Sequence, residues 1–224
     1  MADLPERLHR VASVLEGTYG RPDVNLRDDP FDALIGTILS QSTNDTNSGR
    51  AYDALRKRFP TWDEALEAGP EEIERAIRPG GLARQKSVRI HAILKRIREE
   101  RGELSLADLC SWPDDDVFAW LGRFQGVGAK TVAIVLMSAC GRDICPVDTH
   151  VHRVVRRLGL VRKNAGAEET FETLRPHIPK GEGPTLHLNL ISFGRTRCTA
   201  RNPACETCPF RGECRYDKGT GTIR

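Results

Sequence analysis

A chain of 224 residues with 39% apolar and 29% charged residues holds enough apolar material for a real core under a soluble surface. Its net charge of +3 and pI of about 8.5 admit nucleic acid as a partner without establishing it. No apolar run reaches the roughly 18 residues of a membrane span. MADLPERLHR lacks the apolar core of a signal peptide. A cytosolic, reducing setting with no membrane partner is therefore expected.

Apolar residues recur at helical spacing throughout, and alternating strand patterns are scarce. The expectation is an all-α fold of about ten helices with no sheet. The first helix spans residues 4–19, with Leu8, Val11, Ala12 and Leu15 as its stripe. Residues 21–29 are a polar connector. Asp29-Pro30 then opens a strongly apolar second helix through Phe31, Leu34, Ile35, Ile38 and Leu39. It runs into a polar patch at residues 40–50, SQSTNDTNSGR. Such a patch is either a loop between helices or a set of amide and hydroxyl groups offered to a base edge.

Tyr52, Leu55 and Phe59 continue a helix that Pro60 stops. Thr61 and Glu64 form a capping box for the next helix, and Pro70 opens another. After Pro79-Gly80-Gly81, residues 83–100 form a long basic helix with Val88, Ile90, Ile93, Leu94 and Ile97 on its apolar side. Arg84, Lys86 and Arg89 near its start read as a solvated face, with a phosphate contact as the alternative. Asp114, Asp115 and Asp116 favour the N-terminus of the helix that leads through Leu121.

The stretch from Leu121 to Asp148 organises the rest. Gly126-Val127-Gly128 is a tight turn whose glycines allow positive φ and close approach of a ligand to the backbone. A helix follows from Ala129, with Val132, Val135 and Leu136 facing the core. Its first N–H groups can take a phosphate, and Lys130 sits in its first turn. Asp148 precedes another helix, marked by Val151, Val154, Val155 and Leu158. Singly these are a turn, a surface lysine and an N-cap. Residues 168–174 and 185–193 complete the helices, followed by a polar tail.

Of the seven cysteines, Cys110, Cys140 and Cys145 are scattered and expected as packed thiols. Cys198, Cys205, Cys208 and Cys214 follow the spacing C-x6-C-x2-C-x5-C. In a reducing compartment that cluster points to metal, either an iron–sulfur cubane or a structural zinc.

GVGAKT at residues 126–131, PVDTH at 146–150 and the four cysteines together resemble the endonuclease III family of helix-hairpin-helix DNA glycosylases. The likeness covers the whole chain. It implies two helical halves: residues 28–136 as a six-helix domain with the hairpin, and residues 1–27 with 137–224 as an iron–sulfur domain. DNA would lie in the cleft between them with the damaged base flipped out. It implies a [4Fe–4S] cluster on Cys198, Cys205, Cys208 and Cys214, and DNA contacts from Gln41, Gly126, Val127, Gly128, Thr131 and Arg201.

In the chemistry so implied, Lys130 attacks the sugar as a neutral amine, favoured by a buried position, and forms a Schiff base. β-Elimination then nicks the strand. Asp148 stabilises the sugar cation while capping its helix. The partner would be double-stranded DNA with oxidised pyrimidines or abasic sites. The protein would act as a monomer in the cytoplasm, associated with the nucleoid in a bacterium. Phe124-Gln125 stands where the family has Leu-Pro, Ala129 where it has a basic residue, and the loop TARNPA carries one arginine where the family loop is more basic. Two readings follow: a bifunctional DNA glycosylase and abasic lyase, or a cluster-bearing DNA-binding protein with little glycosylase activity.

Overall fold

A computed structural model describes residues 3–23, 29–217 and 221–223. Among them are ten α-helices joined by turns and short 3-10 segments. The chain forms two compact units, Leu26–Gly141 and Met1–Asn25 with Arg142–Arg224. The expected boundary after residue 27 lies outside the described residues. The one after residue 136 would cut a helix that continues to Ala139.

In the unit of residues 26–141, helix α2 (Pro30–Ser40) is the hub, buried along nearly its whole length. Asp29 caps it, accepting from the Phe31 amide at 2.8 Å. Against it pack α3 (Asp45–Arg58), α5 (Ala83–Arg101) and α7 (Ala129–Ala139), with α4 (Trp62–Ile77) on α5 and α3, and α6 (Asp114–Leu121) on α7. Thr61 caps α4 through the Glu64 amide, as the capping box requires. Gly69 breaks α4 before Pro70, where the sequence divides it. Phe31 stacks on Trp62 with centroids 5.4 Å apart.

The other unit holds α1 (Leu4–Tyr19), α8 (Thr149–Leu158), α9 (Ala167–Leu174) and α10 (Gly183–Thr196). Arg7 on α1 donates to the carbonyls of Leu158 and Gly159, which end α8 with no intrahelical partner. Buried Asn189 on α10 donates to the carbonyl of Gly20. The tail is not purely irregular: Tyr216–Asp217 (β1) pairs antiparallel with Thr222–Ile223 (β2), a strand pair absent from the sequence reading.

Three expectations are corrected. Lys86 is not on a solvated face; it is 2% exposed, and its ammonium donates to the carbonyls of Leu39 (2.7 Å) and Gly80 (2.9 Å). Val88, placed on the apolar side of α5, is 55% exposed, because α5 turns a different arc of its surface to the core. Cys110 and Cys140 are joined in a disulfide, with Cα atoms 5.0 Å apart and a sequence separation of 30. A loop of that length is worth on the order of 3.5 kcal/mol in the chain-entropy picture. Cys145 is a buried free thiol, as expected, and its pKa is raised by burial and by Asp148 and Asp143.

Candidate functional site

The hairpin between α6 and α7 is built from residues 122–128. Its apolar anchors are Phe124 and Val127, 3% and 4% exposed. The Val127 amide donates to the Phe124 carbonyl at 3.0 Å, which closes the turn. Gly126 has φ of +81°, and a Cβ there would stand 2.3 Å from the Arg89 guanidinium. The backbone conformation thus favours glycine, and a Cβ would in addition displace the Arg89 side chain from its place. Gly128 is extended, with φ of −97°, and nothing lies within 4 Å of where its Cβ would be.

Gly128 caps α7 without a side chain. Its carbonyl takes the amides of Thr131 and Val132. Earlier N–H groups of a helix have no partner within it, and here they start beside an open glycine. Lys130 follows in the first turn and is exposed, whereas the sequence reading expects it buried. Thr131 is 3% exposed and packs in the core, so its side chain is not offered to DNA.

Gln41 caps the C-terminal end of α2. Its Nε2 donates to the Gly126 carbonyl at 3.1 Å, and its Oε1 accepts from Arg89 Nη1 at 2.6 Å. The polar patch after α2 is therefore joined to the glycine hairpin. Leu82 lies close by in sequence to Arg89, at the N-cap of α5. It is 55% exposed in the left-handed region, with φ of +50°. Leu82, Arg84, Val88, Arg89 and Gln125 line a cavity of about 680 Å³ together with Glu74. Sequence reasoning missed Leu82; a leucine following Pro-Gly-Gly at a helix start was the available signal.

Asp148 lies in the other unit. It caps α8, its Oδ1 accepting from the Val151 amide at 2.7 Å. The four-cysteine loop belongs to this unit too. Cys198, Cys205, Cys208 and Cys214 line one small cavity with Arg157, Phe193 and Tyr216 among its walls. Among the described residues no three such donors close on a single point as ligands of one ion would; the four thiols are distributed around the wall. Burial raises the Cys208 and Cys214 thiols above their ordinary pKa, and the neighbouring cysteines add to it. Burial here works against thiolate at Cys208 and Cys214, and a bound iron cluster would supply the positive charge that favours it.

Arg157, 6% exposed, was not singled out from sequence. Its guanidinium donates to Cys198 Sγ and to the carbonyls of Thr199 and Ala200, and lies 3.9 Å over the Tyr216 ring. Its own carbonyl accepts from Cys214 Sγ at 3.1 Å. One buried arginine thus holds both outer cysteines of the motif. Arg201 is exposed on the loop. No described helix is long and apolar enough to cross a membrane.

A helix-hairpin-helix with an anion-ready turn, in a chain with a four-thiol loop, defines a class of helical DNA-repair proteins. The model for the HhH-GPD superfamily of base excision DNA repair proteins matches residues 35–180, and that for the iron–sulfur binding domain of endonuclease III matches residues 198–214. A relative from Arabidopsis thaliana described as a DNA glycosylase is 44% identical over 74% of this chain, which spans 56% of that relative's length. Endonuclease III of Thermotoga maritima is 36% identical over 88% of each chain. A solved endonuclease III–DNA covalent intermediate, an estranged-adenine complex, superposes with a TM-score of 0.80 at 29% identity, covering 98% of both chains. The chain belongs to the endonuclease III family. Its work is base-excision repair as a DNA glycosylase and abasic-site lyase, it binds DNA, and its cofactor is a [4Fe–4S] cluster.

Proposed function

We propose that Lys130 is the nucleophile and Asp148 its acidic partner, acting on oxidised pyrimidines flipped out of a duplex. The observation that carries this is the position of Lys130: exposed, in the first turn of α7, directly after the open Gly126–Gly128 hairpin. The related chain trapped covalently on DNA supports it. Phosphate would meet the first N–H groups of α7, bringing the sugar towards the amine. The neutral amine bonds to C1′ as the N-glycosidic bond breaks, and the base leaves with the electron pair and takes up a proton. Loss of the ring oxygen bond gives the Schiff base; removal of a C2′ proton then expels the 3′ phosphate oxygen. The Asp148 carboxylate offsets the positive charge that grows on the sugar.

Gln41 and the exposed Leu82 would enter the space vacated by the flipped base, one polar and one apolar. The two compact units correspond in this reading to a hairpin domain and a cluster domain. Arg201 would contact a phosphate, and the protein would act as a monomer in the cytoplasm, on the nucleoid in a bacterium. Pure protein incubated with three duplexes tests the reading. One carrying a single oxidised pyrimidine should lose the base and be nicked, one with an abasic site should be nicked, and an intact one should survive. An uncut oxidised-pyrimidine duplex beside a nicked abasic one would remove that substrate class.

Cys198, Cys205, Cys208 and Cys214 would hold the cluster, whose four iron–thiolate bonds cross-link the loop when bound. Purified protein should be yellow-brown with about four irons per chain. Cys208→Ser should lose iron and destabilise the unit that contains the loop, because ligation is coupled to folding. Thermal unfolding followed at the cluster absorbance and in the far-ultraviolet checks this. Stoichiometric zinc without iron in protein purified under anaerobic conditions would defeat it.

A further inference from the structure

Lys86 and Arg89 stand one turn apart on α5 and reach towards the same end of α2. Lys86 holds the backbone there through the Leu39 carbonyl, and also ties in the turn at Gly80. Arg89 holds the side chain of Gln41. The half-buried guanidinium of Arg89 lies against Gly126, in space that a Cβ at that position would overlap.

The two bonds on Gln41 have a consequence for its amide. Guanidinium can only donate, and a carbonyl can only accept. Arg89 therefore requires oxygen on its side of the Gln41 amide, and Gly126 requires nitrogen on the other. A free glutamine turns its terminal torsion and offers either sense of the donor–acceptor pair; this one cannot without losing both bonds. By valence, one acceptor position on Oε1 and one N–H on Nε2 remain to meet a base edge. Base edges are told apart by the order of donors and acceptors.

We propose that Arg89 is a positioning residue that sets opposite-base preference, by locking the sense in which the Gln41 amide meets the base left unpaired. The inference rests on the reading that Gln41 enters the duplex. It predicts a spread of rates on a single abasic site placed opposite A, G, C or T, since a well-matched amide contact discriminates by roughly fivefold or more.

The test uses the full chain with its cluster and single-turnover nicking of those four duplexes at saturating protein. Arg89→Met keeps a long stem over Gly126 and removes every donor. It should narrow the spread among the four by about fivefold or more. Arg89→Lys should restore part of it. Gln41→Ala should narrow it equally, and adding Arg89→Met to Gln41→Ala should narrow it no further. In the DNA-free protein, the Gln41 side-chain amide resonance, identified by its loss in Gln41→Ala, should exchange faster with water in Arg89→Met. A uniform fall across all four duplexes would make Arg89 a phosphate contact and sink the proposal. If Gln41→Ala narrows the spread and Arg89→Met does not, the brace is refuted while Gln41 keeps its role. If Gln41→Ala changes nothing, or the parent shows no spread, the role of Gln41 fails and the proposal with it.

Discussion

Lys130→Gln protein, mixed with an abasic duplex and borohydride, should yield no covalent adduct under conditions that trap the parent. Glutamine keeps length and polarity but has no nucleophilic amine, so nicking should fall roughly a thousandfold or more. The fold should not suffer. Lys130 is exposed in the first turn of α7, and the apolar face of that helix, from Val132 to Leu136, is untouched. Affinity for DNA should fall modestly, by the worth of one positive charge near a phosphate. Denaturing gels for the adduct and binding titrations on uncleavable duplex separate the two effects. Parental nicking by Lys130→Gln would mean that another amine attacks.

Asp148→Asn should leave a folded protein that barely excises bases. Asparagine caps a helix about as well as aspartate, so the bond to the Val151 amide at the start of α8 survives. On the proposed role of Asp148, what would be lost is the negative charge beside the sugar as the N-glycosidic bond breaks. Removing one such stabilising group costs about 10²–10³-fold in rate. Nicking of a pre-formed abasic site involves no base departure and should fall much less. Base release and strand nicking, measured separately on a lesion duplex and on an abasic duplex, give the two numbers. Equal losses on both substrates would assign Asp148 to positioning the lysine rather than to the sugar cation.

The sequence by itself determined what depends on neighbours within a turn or two. Helical spacing placed Leu8 to Leu15 and Val132 to Leu136 in cores. Asp29, Thr61 and Asp148 announce their helices because a cap bonds to an amide at most three residues away. Gly126 is legible because a tight turn needs its positive φ locally, and the cysteine spacing is legible because a cluster's ligands lie in one short loop. Other features depend on which distant segments meet, and no spacing rule reports that. Tertiary structure alone made Lys86 a buried strut and paired Cys110 with Cys140. It left Leu82 and Val88 facing outward, and wrapped Arg157 around the cysteine loop. It also decided the sense of the Gln41 amide. That sense follows from a guanidinium 48 residues away and a carbonyl 85 residues away. Each can bond in only one direction, and only the folded chain brings both to the same side chain.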